Sequence, residues 1–166
     1  EKAQVLLATL SGEMVDIETE FQTVFPPIIT ERISEKTGKK LKDKVTVFNP
    51  GSRKQIAERL IAKGVKLTKK TEKGSFIIDE KVLEGIDLPE AKIFGRYLMI
   101  QKRVAAVSSW LDLVGDDGRV HGRIITNGAV TGRATHNTPN MGQVPAVGKP
   151  YGAECRAMFG VAPGMV

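Results

Sequence analysis

A chain of 166 residues is enough for one ordinary domain or for two small pieces of a larger one. Its hydrophobic fraction of 41% permits a core, and with aromatics at 5% that core is expected to be largely aliphatic. A net charge of +6 permits a polyanionic partner; the single cysteine, Cys155, excludes an internal disulfide framework and fits a reducing compartment, and two histidines with one cysteine make no structural zinc site.

In the first predicted helix Ala3, Leu7, Leu10, Met14, Ile17 and Phe21 alternate at spacings of four and three, which gives a narrow apolar seam. Pro26-Pro27 ends it. Ile28 to Ile33 and Lys44 to Phe48 read as two strands around the turn Lys36-Thr37-Gly38-Lys39. Asn49-Pro50-Gly51-Ser52-Arg53 follows, with Ser52 as N-cap of a short helix whose apolar positions are Ile56, Leu60 and Ile61 and whose stop is Gly64. Such a helix start offers unpaired N–H groups to a phosphate. A serine there is more often just a cap, and the lysines of the next loop, Lys69 and Lys70, are more often a solvated surface.

The second long helix repeats the first seam at Tyr97, Ile100, Val104, Val107, Leu111 and Val114. Two such helices predict an antiparallel pair with a folded insertion at its tip; two core helices of a bundle would give the same periodicity. Asp116-Asp117-Gly118 reads as a tight turn rather than a catalytic carboxylate pair. Residues 131–145 have no helical or strand periodicity, yet they are rich in side-chain donors, as functional or disordered loops are. That loop is expected to be mobile in isolation. The chain opens on Glu1 within a helical pattern and closes on a turn and an apolar stretch, as a fragment of a longer polypeptide would. No apolar run approaches a membrane span, and no signal-peptide pattern precedes the first helix.

Charge is concentrated. Between Glu31 and Lys73 there are 14 Lys or Arg against 5 Asp or Glu, a local net of +9, which leaves the remainder at −3. A basic stretch of this kind points to a polyanion more strongly than an evenly basic chain does.

Six groups of residues in one order carry a family resemblance. Asn49-Pro50-Gly51-Ser52-Arg53-Lys54-Gln55-Ile56, then Lys69-Lys70-Thr71, then Val82-Leu83-Glu84 and residues 97–111 resemble the thumb of family A DNA polymerases, the bacterial DNA polymerase I type. Asp117-Gly118-Arg119-Val120-His121-Gly122 is similar to the strand that leaves the thumb for the palm. Thr131-Gly132-Arg133, with Pro139-Asn140 and Val144-Pro145, is similar to the minor-groove motif that follows. Phe48-Asn49-Pro50, residues 97–103, residues 127–133 and residues 150–156 resemble bacteriophage replicative polymerases in particular.

The resemblance implies an α+β fold. A long antiparallel helix pair would form a thumb over residues 1–115, with a basic hairpin insertion at 26–48 and a tip at 49–90. Short antiparallel strands in residues 116–166 would open the palm, stopping before its catalytic motifs. Arg133 would contact the primer-terminal pair, Asn140 the template side, and Gln143, Thr131 and His136 would lie on the same DNA. Gly142 stands where many relatives carry glutamine, so that contact would be absent or supplied from elsewhere. Lys102, Ser52, Arg53, Lys69, Lys70 and Thr71 match positions that hold the DNA backbone, which sets affinity rather than sequence choice.

No carboxylates match the family's catalytic motifs. The Mg2+ of nucleotidyl transfer would be held elsewhere in the parent enzyme and none by this chain. The expected partner is primer–template DNA, in the cytoplasm of a bacterium or a phage-infected host. Where phage relatives hold a long thioredoxin-binding loop, this chain has only a short basic hairpin, which gives a thioredoxin-type processivity factor little to hold. Two other readings remain at this point: a stand-alone DNA-binding module, and a protein-interaction piece whose basic tip is only a solvated surface.

Overall fold

The structure, a computed structural model, describes residues 1–33 and 38–160; the expected turn residues Lys36 and Thr37 and the closing stretch 161–166 lie outside the described residues. The order is α1 (Lys2–Val24), β1 (Ile28–Ile33), β2 (Lys40–Thr46), α2 (Arg53–Ala62), α3 (Glu80–Glu84), α4 (Pro89–Asp112), β3 (Arg123–Ile125), β4 (Thr135–Asn137) and α5 (Gly152–Ala157), with a 3-10 turn at Met141–Gln143. Helices with two separate two-stranded antiparallel sheets make the chain α+β, as the sequence predicts. The chain divides into two compact units, residues 12–101 and residues 1–11 with 102–166.

The core of the first unit is largely aliphatic, as the composition predicts, with Ile17, Ile56, Leu60, Ile78, Leu83 and Ile100 buried, and an aromatic cluster sits within it. Phe21 of α1 stacks on Phe94 of α4 with ring centroids 4.6 Å apart, and Phe25, Phe48 and Tyr97 close around them. Four of the six phenylalanines in the chain meet in this one cluster, which is how a low aromatic percentage still yields an aromatic centre. Each such pair contributes about 0.5–1.5 kcal/mol beyond its buried area. Arg59 lies over the Phe25 and Phe48 rings at 5.5 and 5.7 Å and closes the cluster on its solvent side.

Within this unit α1 and α4 run antiparallel. Glu18 accepts a 2.7 Å hydrogen bond from the Tyr97 hydroxyl, while Phe21, further along α1, meets Phe94, earlier along α4. Burial, then the neighbouring Glu18 carboxylate, pushes the Tyr97 hydroxyl's pKa up, so it stays a donor. The seam read from sequence is incomplete. Helix α4 starts at Pro89, whose missing N–H costs nothing in a first turn, and its early residues Ala91 and Phe94 are fully buried.

Local signals set the ends of the shorter elements. Helix α1 stops at Val24, before Pro26-Pro27. Ser52 caps α2, its Oγ accepting from the Gln55 N–H at 3.4 Å, and Gln55 Oε1 accepts in turn from the Asn49 N–H at 2.8 Å. On α2, Ile56 and Leu60 are buried as expected, but Ile61 is 44% exposed and Ala57 takes its place in the core.

Strand β2 spans Lys40–Thr46, earlier than the 44–48 read from sequence, and pairs with β1 from Ile28↔Thr46 to Ile33↔Lys40, with a register shift between Thr30 and Arg32. Every residue of β1 is exposed. Phe25 enters and Phe48 leaves this hairpin with their rings 5.0 Å apart, so the chain departs and returns at one point.

In the second unit Leu6, Leu10, Val107 and Trp110 are buried, and Trp110 meets the Phe159 ring edge-on at 5.1 Å. Val114, the last seam residue, lies beyond the end of α4, is 45% exposed and bridges to Val120. Asp116-Asp117-Gly118 is a turn, as expected. Gly115 N–H donates to Arg119 O at 2.8 Å, and Asp117 Oδ1 accepts from Arg119 N–H at 3.0 Å. Because that turn occupies residues 115–119, the strand expected at 117–122 forms later: β3 begins at Arg123 and pairs antiparallel with β4. The segment 131–145, which shows no periodicity in sequence, therefore contributes a strand and a helical turn.

Candidate nucleic-acid interface

In the unit of residues 12–101 the candidate groups line the surface beside the α2 start. Residues Lys69 to Ile77 form a small hairpin: Thr71 N–H donates to Ser75 O at 2.8 Å and Ile77 N–H to Lys69 O at 2.9 Å. The Lys70 ammonium lies 5.0 Å from the centroid of the Phe76 ring, which holds the charge near the surface. Arg53 and Thr71 share the lining of an open groove of about 540 Å³ with Lys54, Glu58 and Ile61, and Ser52 sits at the adjoining cap. Lys69 lies outside that groove, in the lining of a smaller one with Lys66 and Thr68. The structure thus puts Arg53 and Thr71 in one groove beside the Ser52 cap, with Lys70 on the adjoining Lys70–Phe76 bridge and Lys69 next to it.

In the other unit, Lys102 of α4 faces Asn140 and Gln143 across an open cleft of about 830 Å³. Asn140 caps the 3-10 turn: its Oδ1 accepts from the Gly142 N–H at 3.1 Å, and Gln143 N–H donates to Asn140 O at 3.1 Å. The Asn140 side-chain oxygen is thereby engaged, and the side chain presents its NH2 to a partner. Arg103, Ser109, Asn137 and Thr138 also line this cleft and were not singled out from sequence. Arg103 could have been, since it follows Lys102 directly. Asn137 and Thr138 belong to the donor-rich stretch 131–145 but nothing in the sequence set them apart within it.

Arg133 and Thr131 do not line the cleft. They belong to the loop that joins β3 to β4, where Gly132 N–H donates to Ala129 O at 2.9 Å and Ala129 N–H to Arg133 O at 3.1 Å. Gly132 has φ +76°, a left-handed conformation that glycine adopts without strain, and it turns the chain just before Arg133. Both side chains are exposed. His136, expected in a loop, is exposed on β4 opposite Ile124.

Electrostatics adds little special chemistry. The Arg119 N–H, and after it the His121 ring 2.9 Å away, hold the exposed Asp117 carboxyl below its ordinary range. Burial pushes the Cys155 thiol up, so it is a packing residue and not a nucleophile. Among the described residues no three of His, Cys, Asp or Glu stand close enough to hold a metal ion. No helix among them is long and apolar enough to cross a membrane.

The DNA-directed DNA polymerases of Escherichia phage T7 and Enterobacteria phage T3 are each 48% identical over 124 residues, covering 69% of this chain. The chain spans 18% of the length of these two relatives. A solved structure, the POL domain of Pol1 from M. smegmatis in complex with DNA primer-template and dNTP, superposes over 99% of this chain and 26% of its own with a TM-score of 0.76. At 21% identity that likeness speaks to the fold. The sequence profile of DNA polymerase family A matches residues 28–166, most of the chain, and the chain belongs to that family.

Proposed function

We propose that this chain is the thumb, residues 1–115, and the first palm segment, residues 116–166, of a DNA-directed DNA polymerase, and that it holds primer–template DNA. Nucleotidyl transfer, with Mg2+ on palm carboxylates, belongs to parts of the polymerase outside this chain, so the chain alone binds DNA without copying it. The observation that carries this reading is the donor-lined cleft at Lys102, Asn140 and Gln143 in a chain of this family. The minor groove presents purine N3 and pyrimidine O2 acceptors on every base pair. Amide NH2 groups and the Arg133 fork can test that acceptor geometry without regard to sequence, which a copying enzyme requires.

The tip groups Ser52, Arg53, Lys69, Lys70 and Thr71 supply the other half, contacts to phosphate that carry affinity and its salt dependence. The exposed lysines of the β1–β2 hairpin, Lys42 and Lys44 among them, extend that phosphate grip and stand in for part of a clamp. Deleting residues 28–43 then shortens the products that the full polymerase makes per binding event; unchanged lengths would remove the hairpin from this account.

The decisive experiment is Arg133→Ala in the full polymerase, assayed for binding to primed and to blunt duplex. Removing a charge-assisted hydrogen bond costs roughly 1.5–3 kcal/mol, or about ten- to a hundredfold in affinity, and it should fall on the primed DNA. Equal losses on both DNAs would overturn the assignment of Arg133 to the primer end.

A further inference from the structure

The cleft residues Asn140 and Gln143 sit on a turn of three residues, and such a turn does not hold its own position. What holds it lies on the other side of the chain. Val144 and Pro145, which follow Gln143 directly, are buried, and their carbonyls face the side chain of Arg156 on α5. Arg156 Nε donates to Pro145 O at 2.8 Å and its Nη2 to Val144 O at 3.5 Å. A planar guanidinium presents two donors at the spacing of two successive carbonyls, which an ammonium does not. Pro145 has no N–H of its own, so this stretch cannot be fixed by an ordinary strand ladder at that residue.

Helix α5 is itself tightly seated. A Cβ on Gly152 would run into the Ala146 carbonyl, so only glycine allows the start of α5 to close onto residue 146. The chain just before the helix is held from α4 as well, Arg103 Nε donating to Pro150 O at 3.4 Å. The Gln143 end of the turn is therefore joined through Val144 and Pro145 to a well-seated anchor, and Arg156 makes that link.

We propose that Arg156, which lines none of the cleft, is a positioning residue for the DNA-reading turn: it fixes Val144 and Pro145 so that the Asn140 and Gln143 amides meet the minor groove at a set depth. This inference rests on the reading of the cleft as a DNA interface. Its consequence is a loss of discrimination rather than of charge.

The test uses Arg156→Lys, which keeps the charge and loses the fork, with Arg156→Gln as a second variant, in the full polymerase. Two readouts separate the inference from the reading beneath it. The first needs no DNA: amide hydrogen exchange at Gly142 and Val144, whose N–H groups bond within the turn, should accelerate at least tenfold in either folded variant. The second is the preference for primed over blunt duplex, which should fall about ten- to a hundredfold, the range that an ångström-scale misplacement commands. That fall should largely vanish in an Asn140→Ala background, because the two residues act through one turn.

Unchanged exchange at Gly142 and Val144 would overturn the positioning role even if DNA binding changed. Equal losses on primed and blunt DNA, or losses that add fully to those of Asn140→Ala, would reduce Arg156 to a general structural residue. Faster exchange with no primed-end preference in the unsubstituted enzyme would leave Arg156 as the turn's anchor and refute the DNA reading instead.

Discussion

The two units prepare their polar surfaces in different ways. In residues 12–101 the candidate groups are mostly cations on long side chains, carried by a unit whose core holds a phenylalanine cluster. In residues 102–160 the candidate amides are short, and backbone turns hold them, with Asn140 capping its own turn and Arg156 holding the carbonyls that follow it. Under the proposed reading the difference matches two tasks. A phosphate backbone is met by charge at many geometries, so a flexible lysine suffices and rigidity is supplied beneath it. A base edge is met by a donor at one depth, so the backbone that carries the donor must itself be fixed.

That contrast can be broken at three places, from the largest expected effect to the smallest. Phe94→Ala removes the ring at the centre of the aromatic cluster, a residue with no exposed surface. It should destabilise the unit of residues 12–101 by about 3–5 kcal/mol, read by urea unfolding. A loss under about 1 kcal/mol would mean that the cluster is not the rigid base proposed for the tip.

Lys69→Ala with Lys70→Ala should weaken binding to primed and blunt duplex alike. The slope of log affinity against log salt should become shallower by about 0.9 for each phosphate that the two lysines no longer neutralise. A slope that does not move would show both lysines to be merely solvated.

The smallest effect is on the 115–119 turn. Asp117 has a folded pKa below its ordinary value, chiefly through the Arg119 N–H and then through His121. The contribution of a depressed carboxyl is fully present above its unfolded pKa and is lost as pH falls through the folded value. Acid should therefore loosen this turn, seen as faster exchange of the Arg119 N–H. Asp117→Asn should abolish that pH dependence, and its persistence in the variant would assign it to another group.

Much of the chain was legible from sequence because its signals are local. Pro26-Pro27 stops α1, Ser52 and Gln55 start α2, and Asp116 to Gly118 make a turn, each acting on backbone within a few residues of itself. The order of motifs that carries the family resemblance belongs to the sequence too, and the profile match over residues 28–166 bears it out. The exchange of Ile61 for Ala57 in the core was not legible. Periodicity marks which residues can be buried, and the neighbouring elements choose among them.

For the candidate site, the sequence by itself determined which donors exist and in what order: Lys102, Arg133, Asn140 and Gln143. Tertiary structure alone decided that Lys102 shares a cleft with Asn140 and Gln143 while Arg133 stands outside its lining. It also decided that Arg156, a plain helix residue in sequence, reaches the carbonyls of Val144 and Pro145. The physical reason is range. Caps and turns are settled by bonds between near neighbours in the chain, whereas a cleft exists only once α4, the β3–β4 pair and the turn after it have been brought together.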